Sequence, residues 1–143
     1  APHEIHEEHI QFILSRLNRT AIRYTQADEK NIQKADCIII DCFGLLSSIY
    51  RYGQVAYVGG GFGAGIHNVP EAAVYGIPVI FGPNHKKFKE AKELIIAGGG
   101  FSISRSEDFE LVIDFLKIKN FYLKQGLLQD NTFKITQVLQ KKY

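Results

Sequence analysis

Residues 55–88 read VAYVGGGFGAGIHNVPEAAVYGIPVIFGPNHKKF, and no other stretch constrains the fold as tightly. It opens on a short apolar run, 55–58, of the β-branched and aromatic kind that forms buried strands. Gly59, Gly60, Gly61, Gly63 and Gly65 follow, five glycines in seven residues. Such density costs chain entropy and suits a loop whose backbone takes positive φ or closely approaches a neighbour or a ligand. Asn68-Val69-Pro70-Glu71 then carries a helix-start signal. Asn suits the N-cap, Pro is tolerated in the first turn, and Glu three residues after the cap completes a capping box. The helix is expected to run through Tyr75 and stop at Gly76. Residues 77–81 form a second apolar strand, closed by Gly82-Pro83. Strand, glycine loop, helix start and strand make a βαβ unit with an anion-ready helix end at its rim.

The flanks repeat this alternation. Ile10, Ile13, Leu14 and Leu17 recur at helical spacing, predicting an amphipathic helix over residues 5–17. Short strands are expected at 21–25, 37–40 and 101–104. The 37–40 run is apolar throughout, as in a parallel sheet covered on both faces. Helices are expected from Gly44 to Gly53, over 86–97, from a Ser106 cap to 116, and over most of 120–143. At 143 residues, with no internal repeat or linker, the chain reads as one Rossmann-like α/β domain, a mostly parallel sheet with helices on both faces. A net charge of +2 with dispersed lysines gives no nucleic-acid signature. No apolar run reaches the ~18 residues of a membrane span, and no signal-peptide pattern is present. Two cysteines, Cys37 and Cys42, build no disulfide framework, which points to a reducing compartment. The chain contains no methionine and begins Ala-Pro-His, and it reads as a piece of a longer protein.

Several constellations invite chemistry. Gly59-x-Gly61-x-x-Ala64 fits a loose dinucleotide fingerprint, but the helix starts too late and no acidic residue follows at about twenty positions. The Gly-Lys-Ser/Thr of a phosphate-binding P-loop is missing. His3, His6 and His9 are spaced i, i+3, i+6, which spreads them around a helix and does not match paired metal ligands. His3 precedes that helix at a strand end, where open α/β sheets place ligands. Asp41, at the carboxyl end of its strand, is either a cap for the following helix or a ligand contact. Lys86, Lys87, Lys89 and Lys92 are either the wet face of a helix or, for Lys86 and Lys87, cations beside the glycine loop.

Taken together, Gly-Gly-Gly-x-x-x-x-Ile-His-Asn-x-x-Glu-Ala-Ala-x-x-Gly-x-Pro-Val-x-x-Gly-Pro-x-x-x-x-Phe resembles the second half of the 3-deoxy-D-manno-octulosonic acid (Kdo) transferases. These are GT-B glycosyltransferases of lipid A core assembly. The resemblance runs along the whole chain and is densest in this motif. It implies the C-terminal, donor-binding half of a two-domain enzyme. The donor would be CMP-Kdo, and the missing N-terminal half would bring the lipid A precursor acceptor and the catalytic base. No catalytic residue is therefore expected in this chain.

By the same resemblance Gly60, Gly61, His67, Asn68 and Glu71 fall on the donor-binding motif. Gly82, Pro83 and Phe88 fall on a second donor-side motif, and Phe43-Gly44 on a third segment. The chain departs from the family's pattern at His3, commonly Arg, and at Leu45, commonly Glu. Asn84 and Lys87 stand where His and Asn are common. His3 and Lys87 join the expected donor contacts as replacements. The resemblance implies an inverting transfer without metal or cofactor, on the cytoplasmic side of a bacterial inner membrane, for lipopolysaccharide biosynthesis. Another GT-B enzyme using a UDP-sugar, or a non-catalytic nucleotide-binding domain, are the alternatives.

Overall fold

The computed structural model describes residues 1–124, so most of the final helix expected over 120–143 lies outside the described residues. The backbone divides into two compact units, Ala1–Ile49 and a second that begins at Tyr50. Among the described residues the named strands all pair in parallel, in a two-stranded sheet and a three-stranded one.

The first unit starts with α1, Glu7–Arg16, which buries Ile10 completely. Strand β1, Ala21–Arg23, pairs with β2, Cys37–Ile39, placing Arg23 beside Ile39. The last two residues of the expected strand, Tyr24 and Thr25, are lost to a 3-10 turn, Tyr24–Gln26. Ile39 and Ile40 are buried, and the buried Asp41 follows directly. Its carboxylate accepts hydrogen bonds from the Thr25 hydroxyl (2.6 Å), the Thr25 N–H (3.0 Å) and Arg23 Nε (2.7 Å). Arg23 Nη1 in turn donates to both carboxylate oxygens of Glu7, at 2.8 and 2.9 Å. Burial pushes the Asp41 carboxyl up, but the bonds from Thr25 and Arg23 outweigh it and hold the group well below the usual carboxylate range. Asp41 thus ties the ends of β1 and β2 together, rather than capping the helix after it. That helix, α2, covers only Leu46–Ile49 before a 3-10 turn at Tyr50–Tyr52, so the expected helix from Gly44 to Gly53 is broken in two.

In the second unit, β3 (Ala56–Val58), β4 (Val79–Phe81) and β5 (Gly100–Ser102) form a sheet with β4 in the centre. Alternation sorts its side chains by face. Ala56, Val58, Val79 and Phe81 point into a core with Ala72 and Ala73 of α3 (Val69–Ala73) and with Ala91 and Leu94 of α4 (Lys89–Ile96). Tyr57, Ile80 and Phe101 stand in register on the opposite face. There Tyr57 meets Phe109 edge-on at 6.1 Å, and Phe101 meets Phe115 at 6.0 Å. Both partners belong to α5, Ser106–Lys124. The sheet is therefore covered on both faces, and all three residues of β4 are fully buried. Each such side chain contributes about 1.5–3 kcal/mol of apolar burial.

Helix bounds differ from the sequence expectation where local bonds intervene. α3 stops at Ala73 because Tyr75 and Gly76 donate to Ala72 and Ala73, tightening the chain into a turn. α4 starts at Lys89, leaving Lys86 and Lys87 in the preceding turn. At the start of α5 it is Asp108, not Ser106, that accepts the N–H groups of Ser104 (2.9 Å) and Arg105 (3.0 Å). These bonds lower the pKa of Asp108. Among the described residues, no helix is long and apolar enough to cross a membrane.

Candidate functional site

The carboxyl ends of β3 and β4 are where this architecture offers a site, as in open parallel sheets generally. After β3 the chain folds back on itself: the Gly61 N–H donates to Gly65 O (2.7 Å) and the His67 N–H to Gly59 O (3.2 Å). Gly60 and Gly61 take φ of +80° and +78°, a conformation that a side chain disfavours. The result is a narrow glycine hairpin with Gly60 bridged to Ile66.

The turn after β4 packs directly on this hairpin. A Cβ at Gly82 would lie 2.7 Å from the carbonyl carbon of Gly61 and 2.9 Å from Gly60 O, so only glycine lets the two backbones touch. Asn84 fastens the joint, its backbone N–H donating to Gly61 O (2.9 Å) and its side-chain amide to Gly63 O (2.8 Å). A cavity of about 300 Å³ opens here, lined by Gly63 and Ala64 of the hairpin and by Pro83, Asn84, Lys86, Lys87 and Phe88 of the turn after β4. Phe88 also lines a second cavity of about 330 Å³ with His67, Asn68, Pro70 and Glu90. Its ring rests against Gly65, where a Cβ would come within 2.9 Å of Cζ.

The expected contacts fall into three groups. Gly60, Gly61, Gly82, Pro83 and Lys87 converge on the hairpin joint and its cavity. His67 and Asn68 line the second cavity. Asn68 occupies the N-cap position of α3 but makes no side-chain cap bond. Its amide instead donates to Glu71 Oε1, so the pair is a side-chain bridge and not the predicted capping box. Glu71, half-buried one turn into α3, lines neither cavity. Its charge, after burial, raises the pKa of the Tyr50 phenol. α3 has only five residues, so the dipole at its start is much weaker than a full helix would supply.

His3, Phe43 and Gly44 belong to the first unit. Phe43 is 84% exposed and Gly44 has φ of +85° with open space around it. His3, His6 and His9 do not assemble a ligand set. Among the described residues, no group of three or more His, Cys, Asp or Glu side chains is arranged to hold a metal. Sequence reasoning passed over Asn84 as a departure from a pattern. The only local signal was the Gly-Pro-Asn turn itself, a composition that favours side-chain-to-backbone bonds.

No protein-family model matches the chain. Curated relatives do. The 3-deoxy-D-manno-octulosonic acid transferase of Aquifex aeolicus is 39% identical over 77 residues, 52% of this chain and 22% of that protein. The Rickettsia prowazekii transferase of the same name is 27% identical over 140 residues, 94% of this chain and 30% of its own length. That of Chlamydia pneumoniae is 30% identical over 103 residues, 67% of this chain and 24% of its length. A crystal structure of the C-terminal CMP-Kdo binding domain of WaaA from Acinetobacter baumannii superposes with a TM-score of 0.66 at 21% identity. That match covers 94% of this chain and 66% of the other. The fold is that of this C-terminal domain. In sequence the chain is similar to the 3-deoxy-D-manno-octulosonic acid transferases. It spans less than a third of the length of these relatives, between 22% and 30%.

Proposed function

We propose that this chain is the donor-binding domain of an inverting glycosyltransferase that moves Kdo from CMP-Kdo to a lipid A precursor. The carrying observation is the cavity at the glycine hairpin, which Lys86 and Lys87 line together with Gly63 and Ala64 of the hairpin tip. CMP-Kdo is a phosphodiester with a further carboxylate, so it brings two negative charges and no pyrophosphate. Lys86 and Lys87 suit one of those charges through charge-assisted hydrogen bonds. As the glycosidic phosphate departs as CMP, the growing negative charge is met by cations already in place, and no reorganisation is needed in the transition state. On this reading the transfer requires neither metal nor cofactor. Glu71, bonded to Asn68 at the edge of the second cavity, accepts hydrogen bonds from ribose hydroxyls. The base that deprotonates the acceptor hydroxyl belongs to the other half of the enzyme, which works on the cytoplasmic side of the bacterial inner membrane in lipopolysaccharide assembly.

Calorimetric titration of the chain with CMP and with UDP tests this directly. CMP is expected to bind more tightly, and the chain alone is expected to release no CMP from CMP-Kdo in response to lipid acceptor. A preference for UDP would overturn the donor assignment in favour of a UDP-sugar enzyme. Acceptor-dependent release by the chain alone would overturn the half-enzyme reading.

A further inference from the structure

The tip of the glycine hairpin is not held by packing. Phe62, Gly63 and Ala64 are exposed, and a Cβ at Gly63 would meet nothing within 4 Å. Yet Gly63 and Ala64 form one wall of the lysine cavity. The tether across to the other wall is the Asn84 side chain, whose Nδ2 donates to Gly63 O at 2.8 Å. The Asn84 backbone N–H holds Gly61 O independently, at 2.9 Å, so the base of the hairpin stays docked whatever the side chain does. Tip and base are thus fastened by different atoms of one residue.

We infer that Asn84 is a positioning residue for the donor: its amide fixes the Gly63–Ala64 wall opposite Lys86 and Lys87 and sets the width of the cleft that receives an anionic group of the nucleotide sugar. The ligand half of this inference rests on the donor reading above, whereas the tether half stands on the geometry alone. Backbone N–H groups bind an anion well only when they are already aimed, and an unfastened glycine tip would have to be ordered at each binding event. Removal of the tether is therefore felt as weaker binding, with lysines and core unchanged.

Asn84→Ala in the full chain keeps the backbone bond and deletes the tether, and Asn84→His restores an N–H donor with a longer reach. Backbone ¹⁵N relaxation and CMP titration read the two halves separately. In Asn84→Ala, order parameters across residues 62–65 are expected to fall from the rigid range of about 0.85 towards the flexible range below about 0.6, with β3, β4 and β5 unchanged. The CMP Kd is expected to rise about fivefold, the weight of one hydrogen bond, and Asn84→His to recover both. Unaltered order parameters at 62–65 overturn the tether. Lowered order parameters with an unaltered CMP Kd overturn the positioning role. A parent chain that binds no CMP overturns the donor reading, while the relaxation measurement still decides the tether.

Discussion

The two units are held by different forces. The first has a small apolar centre in Ile10, Ile39 and Ile40 and closes its sheet with a chain of charges from Asp41 through Arg23 to Glu7. The second closes its sheet with apolar side chains on both faces and joins its loops backbone to backbone, glycine against glycine. One is therefore sensitive to pH and to the loss of a partner, the other to volume.

The sharpest way to break the comparison is at Asp41. Asp41→Ala leaves the Thr25 N–H and hydroxyl without their acceptor and Arg23 with only Glu7. It is expected to destabilise the chain by about 3 kcal/mol in chemical denaturation, the low end for a broken buried pair. The pH dependence follows from the sign of the shift. The folded pKa of Asp41 is depressed, so between the folded and unfolded values the unfolded chain binds more protons and stability rises with pH. Its contribution is complete above the unfolded value near 4 and is lost as pH falls towards the folded one. Glu7 and Asp108 are lowered too and act in the same direction. Asp41→Asn is expected to flatten the acid limb of the stability profile without abolishing it. An unchanged limb would mean that the buried charge does not set the acid response.

Gly82→Ala probes the other kind of joint. The added Cβ would press on backbone atoms of Gly60 and Gly61, which no rotamer change relieves. Overpacking of this kind costs about 1–3 kcal/mol, and here the strain falls on the hairpin. CMP binding is expected to drop at least tenfold, more than Asn84→Ala, because base and tip move together. Retained affinity would show that the close backbone approach is incidental to the site.

What could be read in advance follows the range of the interactions. The run 77–81 announced a buried strand, and β4 is sealed on both faces, whereas the all-apolar run 37–40, expected to be covered on both faces, leaves Ile38 exposed in β2. The glycines at 59–65 announced a special backbone, and three of them, Gly60, Gly61 and Gly65, take positive φ. The ties that hold these pieces were invisible. Arg23 and Asp41 are 18 residues apart and Gly63 and Asn84 are 21 apart, and no periodicity or local motif encodes such a pairing. Lys86 and Lys87 were misplaced on a helix because their spacing with Lys89 suits one, whereas the turn bond from Phe88 N–H to His85 O delays the helix to Lys89. The capping box failed for a related reason. The Asn68 amide turns its NH2 to the Glu71 carboxylate, which occupies the carboxylate that the box needed for the Asn68 backbone N–H.

Lys87→Ala leaves both joints intact and removes one cation from the cavity. It is expected to raise the CMP Kd about threefold to tenfold, with the loss shrinking as salt rises, since the side chain is exposed. A salt-independent effect would point to altered packing rather than to charge.

The smallest expected change in stability belongs to Glu71, where the ligand role and the structural role can be separated. Asn68 donates to Glu71 Oε1, and the amide oxygen of glutamine keeps that surface bond in a weaker, uncharged form. Glu71→Gln is therefore expected to leave the melting temperature nearly unchanged. It does remove a negative charge, and two consequences follow. The Tyr50 phenol, raised first by burial and then by Glu71, should titrate closer to its ordinary value of about 10, which ultraviolet difference titration reads directly. If the carboxylate accepts ribose hydroxyls, CMP binding should also weaken several-fold, because an amide is the poorer acceptor for two hydroxyls. Glu71→Ala deletes the bridge to Asn68 as well, at about 0.5–1.5 kcal/mol for one hydrogen bond at a surface helix end. A lowered Tyr50 titration with unchanged CMP binding would leave Glu71 as the partner of Asn68 and Tyr50 alone, and would move the ribose contact elsewhere along the rim.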